Sequence, residues 1–191
     1  MPARRPASSP LALPAPRRVS AIVLTLAPAL ALAGCGSGTG QVFAPSCARP
    51  AILAQASDLT RFSPAGHDVT DMVLDAKIEA INGKCAPASH HTLDTTVRVA
   101  LSVTRGPASR ARHADIPYFV AVTRGGTILD KEILTQRVTF SGNSDQANVT
   151  GKKLRLRLPI PPGVHGSDYR LLVGFQLTQA ELAYNRQRTA P

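Results

Sequence analysis

The chain has 191 residues, 22 basic against 12 acidic, for a formal net charge of +10, and it contains no Trp. A surplus of that sign points to a basic surface. There is neither an aromatic-basic stacking motif nor a helix-turn-helix pattern, which argues against a nucleic-acid partner, and no Gly-rich phosphate loop is present.

Residues 1–34 have the three parts of a secretory leader: Arg4, Arg5, Arg17 and Arg18 with no acid, an almost wholly apolar run from Ala21 to Ala31, and small residues at its end. The run is shorter than the about 20 residues of an ordinary spanning helix. Pro28 and the Gly-rich stretch beyond it stand against a retained single-pass anchor. Arg17-Arg18 leave a twin-arginine export signal open, although Val19-Ser20-Ala21 fit that pattern poorly. Leu32-Ala33-Gly34-Cys35 then resembles the lipobox of bacterial lipoproteins. The resemblance implies cleavage before Cys35, a diacylglyceryl group on its sulfur and acylation of the new amino group. Three acyl chains exceed the two that give stable anchoring. Residue 36 is Gly, where in many such lipoproteins an aspartate signals retention in the inner membrane. The resemblance therefore implies the periplasmic face of the outer membrane, with the single-membrane equivalent of a Gram-positive host left open.

Four of the 22 basic residues leave with the leader, and the remaining 18 against 12 acids give the mature chain a net charge near +6. Residues 35–46 are read as the lipidated Cys35 and a tether of Gly, Ser, Thr and Pro character, spanning about 18 Å. Residues 47–191 suit one domain, which at roughly 150 residues buries close to 70% of its unfolded surface. Cys47 and Cys85 are the remaining cysteines, an even pair in an oxidising compartment, and a disulfide is the simplest account of them. Two free buried thiols or a metal pair are the rivals, the latter without CxxC or HxxxH spacing.

Beyond Phe62 the dominant signal is period two. In 71–81, Met72, Leu74, Ala76, Ile78 and Ala80 share one face while Asp71, Asp75, Lys77 and Glu79 share the other. Asn82-Gly83 has turn chemistry. From Thr92 to Thr104, Leu93, Thr95, Val97, Val99, Leu101 and Val103 alternate with polar residues. Tyr118 to Val122 is apolar on both faces, as a central strand is, and Arg124-Gly125-Gly126 reads as a tight turn. Ile128 to Phe140 keeps no clean phase, because Asp130 and Glu132 fall on the face of Ile128, Leu134, Val138 and Phe140. A bulge, or a strand that changes sheets, accounts for the slip. Leu154, Leu156, Leu158 and Ile160 alternate with Lys153, Arg155 and Arg157, and after Pro161-Pro162-Gly163 a last strand aligns Tyr169, Leu171, Val173, Phe175 and Leu177. Thr178 and Glu181 have capping-box spacing for a short helix over 179–185.

About six strands joined by turns, without intervening helices, predict an all-β antiparallel β-sandwich, immunoglobulin-like in architecture, with a short C-terminal helix. Gly166-Ser167-Asp168-Tyr169 resembles the tyrosine corner of immunoglobulin-like domains, but Leu171 stands where antibody-type domains place a cysteine and no closing strand follows Leu177. Cys47-Ala48-Arg49-Pro50, Val173 to Thr178 and Glu181 to Arg186 resemble segments of uncharacterised bacterial envelope lipoproteins. That resemblance brings no activity with it.

If the strands alternate in direction, the connections 82–91, 124–126 and 161–167 lie at one end and 105–117 and 141–151 at the other. A Cys47–Cys85 bond would draw the first end toward the membrane. The far end, with Arg105, Arg110, Arg112 and His113, is then the expected site for a protein partner. Lys153, Arg155 and Arg157 form a basic strand face suited to an anionic ligand. His90-His91, with His67 or His165, make a poor metal site, since neighbours on a strand point to opposite faces. Asp71, Asp75 and Glu79, interleaved with Lys77, read as a solvated face, and His165, Ser167 and Asp168 in one turn are not a nucleophile with its base. Asn148-Val149-Thr150 matches a glycosylation sequon, which carries little weight in a bacterial chain.

The expectation is a lipid-anchored, non-enzymatic binding or structural module of the cell envelope, needing no cofactor and no metal. Its membrane partner is reached through the N-terminal lipid, and its second partner is an envelope protein. The alternatives are a module for an anionic envelope glycan or lipid head group, which would use Arg155, Arg157 and the Arg110/Arg112 loop, and a hydrolase whose site forms only in three dimensions.

Overall fold

The structure, a computed structural model, describes residues 43–64 and 66–189, all within one compact unit. The leader 1–34, the lipidation residue Cys35 and the tether as far as Val42 lie outside the described residues.

The strand Thr92–Arg105 (β4) explains the architecture. All six of its predicted inward residues, Leu93, Thr95, Val97, Val99, Leu101 and Val103, are buried. Such a face is stable only against a second layer. β4 lies within one sheet, with Met72–Ala88 (β3) on one side and, on the other, Gln146–Thr150 (β7) and Leu154–Pro159 (β8) in succession. Asp58–Phe62 (β2) closes that sheet beyond β3. The facing sheet has the order Arg49–Ile52 (β1), Tyr169–Phe175 (β9), His113–Arg124 (β5) and Thr127–Thr139 (β6). The inner position of β5 accounts for its apolar residues on both faces. Leu74, Ile78, Val97 and Leu101 from one sheet join Ile116, Tyr118, Val120, Leu171, Val173 and Phe175 from the other in one core. The fold is an all-β sandwich, with one α-helix among the described residues, short and at the C-terminal side.

One pair departs from the antiparallel rule. β1 runs parallel to β9, with Arg49 beside Arg170 and Ile52 beside Val173. It takes the sheet position that a closing strand after Leu177 would have filled. The backbone of β9 thereby gains a partner on that side, as a buried strand requires.

Asn82-Gly83 does not turn. β3 continues to Ala88, and Asn82 and Gly83 pair with Arg98 and Val97. Glycine is needed there for proximity: a Cβ would lie 2.2 Å from the Thr96 carbonyl oxygen and 2.3 Å from the Phe43 ring. The chain reverses instead at His90-His91, both at positive φ (61° and 52°), with the Thr92 hydroxyl donating to the Ser89 carbonyl at 2.7 Å. A register shift between Ile78 and Ala80 in β3 then carries Ile81 and Cys85 to the inward side.

Cys47 and Cys85 form the disulfide, with Cα atoms 5.7 Å apart. It ties the segment entering β1 to β3, so it bridges the two sheets. The helix Gln179–Thr189 (α1) starts at the predicted capping box: Thr178 N–H donates to Glu181 Oε2 (2.7 Å) and Glu181 N–H to Thr178 Oγ1 (3.2 Å). It extends one turn past the predicted end, because Asn185 is buried and donates to the Gln55 and Asp58 carbonyls at 3.1 and 2.7 Å. Glu181 also pairs with Arg61 at 2.9 Å, docking the helix on β2.

The hydrogen bonds fix the two ends of the sandwich. Ile160 N–H donates to His91, the Tyr169 hydroxyl donates to Pro159, and Gly166 lies against Ser46, so these loops gather at the disulfide end. At the other end, Arg105 N–H donates to Asp145 and Phe140 N–H to Arg112.

Candidate functional site

At the end away from the disulfide, the predicted partner residues divide among elements. Arg105 is the last residue of β4 and His113 the first of β5, so only Arg110 and Arg112 stand on the loop between them. Arg105 is occupied: its guanidinium donates to Asp145 Oδ1, by Nε at 2.9 Å, and lies 5.9 Å from the Phe140 ring centre. Arg112 donates to the Gly142 carbonyl at 3.2 Å. Two of the four cations thus hold the connections of this end together.

Lys153 precedes β8, and Arg155 and Arg157 are exposed on it, their neighbours Leu156 and Leu158 facing the core. Arg157 lies 3.3 Å from Asp94 in a solvated pair. Arg155 opposes Thr96 and Arg157 opposes Asp94, whereas Arg105 lies nine residues or more farther along β4. At about 3.4 Å per residue that separation is about 30 Å or more. The strand face and the Arg110/Arg112 loop therefore form two surfaces and not one.

A concave site lies between the two sheets, where the sequence shows only a phase conflict. Among the described residues β6 and β8 are unpaired edges of their sheets, and both line one cleft. In β6, Leu129 is an extra residue between the pairs Thr123–Ile128 and Val122–Asp130, which is the predicted bulge. The bulge does not turn the acids outward. Asp130 and Glu132 stand in register with the core residues Val122 and Val120. Carboxylates are too costly to bury against an apolar layer without partners. The residue pattern thus leaves this flank open, as a cleft of about 520 Å³. Val122, Leu156, Leu158 and Tyr169 supply its apolar lining, with Arg124 and the acids Asp130 and Glu132 on the inner side and Arg155 and Arg157 at the β8 rim. A volume of that size is within the ordinary range of ligand sites, and the lining mixes apolar side chains with charges of both signs.

Arg124 is the ordered cation of this cleft. It donates to the Tyr169 hydroxyl at 3.2 Å and stands 5.5 Å from the ring centre. Tyr169 is itself buried, and its hydroxyl donates onward to Pro159. Arg155 has no ion pair among the described residues, so its charge is available to a ligand.

The residues of the 165–168 turn serve structure. Asp168 accepts the backbone N–H of His165 at 2.8 Å and lies 3.8 Å from its Nδ1. Among the described residues no three His, Cys, Asp or Glu side chains gather as metal ligands would, and no helix is long and apolar enough to cross a membrane. No family model, curated protein or solved structure matches the chain.

Proposed function

We propose that the chain is a lipid-anchored, non-enzymatic module of the cell envelope that holds an extended segment of an envelope protein in the cleft between β6 and β8. The observation that supports this reading is the pairing of two free strand edges around an apolar lining that carries charges of both signs. Free edges offer backbone hydrogen bonds to an extended peptide, apolar pockets take alternate side chains, and mixed charges set its direction. The lipobox resemblance supports anchoring through Cys35, and Gly36 supports the periplasmic face of the outer membrane. On this reading the cleft lies within a short tether of the bilayer.

Two measurements test the reading separately. Intact mass and membrane fractionation of the native protein beside Cys35→Ser read the anchor: a triacyl mass in the outer-membrane fraction is expected, and an unlipidated soluble product refutes it. A photo-crosslinking residue at Leu129, which is 51% exposed on the cleft wall, reads the partner. A specific envelope-protein adduct is expected, lost in Asp130→Ala/Glu132→Ala and kept in Arg110→Gln. Absence of the adduct, or its indifference to the cleft acids, refutes a peptide in this cleft.

Arg124, Arg155 and Arg157 along one cleft favour a second reading, an anionic glycan as ligand. Its binding would weaken as salt rises, and salt-independent affinity removes it.

A further inference from the structure

Two arginines stand side by side at the disulfide end with little to offset them. Arg49 opens β1, Arg170 is second in β9, and the parallel register sets them side by side. Like charges so placed weaken a sheet. Arg49 and Arg170 line a shallow basin of about 630 Å³ with the Gly125-Gly126 turn and Ser167, and Arg124 borders it while its guanidinium turns to Tyr169 on the inner face. A Cβ on either glycine would meet nothing within 4 Å, so the ground beside the arginines is open. Among the described residues Arg49 and Arg170 make no ion pair or side-chain hydrogen bond, and Arg124 bonds only the neutral Tyr169 hydroxyl. The carboxylate at the basin, Asp168, is held by the His165 backbone N–H. Two adjacent guanidinium groups outweigh that single carboxylate and are suited to phosphate oxygens, which they bind through paired N–H donors.

Position selects the kind of phosphate. Arg49 is two residues beyond Cys47, and the Ser46 carbonyl lies against Gly166 in the loop beside the basin. From Cys35 to Phe43 the chain has eight residue steps, a reach of at most about 30 Å. Resting on the lipid anchor proposed above, this reach keeps the basin beside the bilayer. We propose that Arg49 and Arg170 form a site for the phosphate of an anionic phospholipid headgroup, which seats the disulfide end on the membrane. The β6–β8 cleft then opens along the flank of a protein whose rotation about its tether is restricted.

The test uses residues 38–191, which contain the whole core and both disulfide cysteines, so that no acyl chain contributes. Flotation with phosphatidylcholine vesicles, with and without phosphatidylglycerol, measures binding. The Arg49→Gln/Arg170→Gln pair is expected to lose about thirtyfold in affinity for the anionic vesicles, since each basic residue near such a surface is worth about fivefold. The Arg110→Gln/Arg112→Gln pair, which removes the same charge from the opposite end, is expected to lose less than about twofold. Equal losses in the two pairs, or no preference for phosphatidylglycerol, overturn the site. Inorganic phosphate that shifts the Arg49 and Arg170 Nε–H resonances, where vesicles leave them unmoved, reassigns the site to soluble phosphate. Failure of Cys35 lipidation leaves all of these readouts intact, so the two proposals fail separately.

Discussion

Arg124 and Tyr169 are joined twice, by a 3.2 Å hydrogen bond from guanidinium to hydroxyl and by the guanidinium standing 5.5 Å from the ring centre. They are also register partners of β5 and β9. Through the hydroxyl's bond to Pro159, the pair extends across to β8 in the other sheet. A single tyrosine therefore orders the arginine of the cleft and links the two sheets beside it.

Tyr169→Phe tests that arrangement. The ring and its packing are kept, while the Pro159 carbonyl loses its donor and Arg124 its acceptor. The expected loss is about 1 to 2 kcal/mol of stability, the ordinary cost of removing a buried hydrogen-bonding group. Urea denaturation reads it as a lower midpoint at unchanged slope. An unchanged midpoint would show that the hydroxyl finds equal bonding in water.

The disulfide closes a loop with a sequence separation of 38. In the chain-entropy model a loop of that length restricts the unfolded ensemble by about 4 kcal/mol. Cys47→Ala/Cys85→Ala is expected to lose most of that amount. It should also free the entry to β1, read as faster amide exchange at Ala51 and Ile52 than in the centre of β5.

Period-two patterning made β3, β4, β8 and β9 legible because each presents one face to a continuous core, and β5 was legible as a run apolar on both faces. Residues 49–52, 58–62 and 146–150 were not legible as strands. They are edge strands of four or five residues, and β7 in particular carries a polar face within a run of Gly, Ser and Asn. Their pairing is decided by what the larger strands leave open. Asn82-Gly83 misled because a glycine needed for close packing has the same letters as one needed for a turn. The cleft was half visible: Asp130 and Glu132 broke the phase of β6, and the bulge at Leu129 separates them from Ile128 but leaves them on the inner side with Leu134 and Val138. Only the structure shows that β6 and β8 are edges lining one cleft.

Gly83→Ala should be costly, since its Cβ would meet backbone at 2.2 Å from Thr96 and the Phe43 ring at 2.3 Å. The ring can swing away but the carbonyl belongs to the paired strand. Overpacking of that kind costs typically about 1 to 3 kcal/mol. The prediction is a loss in that range by denaturation, together with displacement of Phe43 seen in its ring resonances.

Thr95→Val should have the opposite sign. Thr95 is buried in β4, and its Oγ1 is the buried side-chain polar atom that lacks a hydrogen-bond partner among the described residues. Leaving such a group unpaired costs about 1 to 3 kcal/mol, and valine fills the same shape without it. A rise in stability of about 1 kcal/mol is expected, and a loss would reveal an ordered water at the hydroxyl.

Asp115 and Arg137, register partners on β5 and β6, form a two-bond pair at 2.9 and 3.0 Å. The Arg137 hydrogen bonds hold the Asp115 carboxyl below its ordinary range, opposed by desolvation and reinforced by the charges of Arg137 and His113. The folded group therefore binds its proton less readily than the unfolded one. Its contribution to stability is present above the unfolded value of about 3.9 and is lost as pH falls through the lower folded value. Both side chains are well exposed, so solvent and salt screen the pair and the stability term is small. The titration itself is the sharper readout. The Asp115 carboxylate carbon should show a midpoint below about 3.9, rising toward that value in Arg137→Gln and in high salt. A midpoint that stays low without Arg137 would transfer the cause to other charges near the strand.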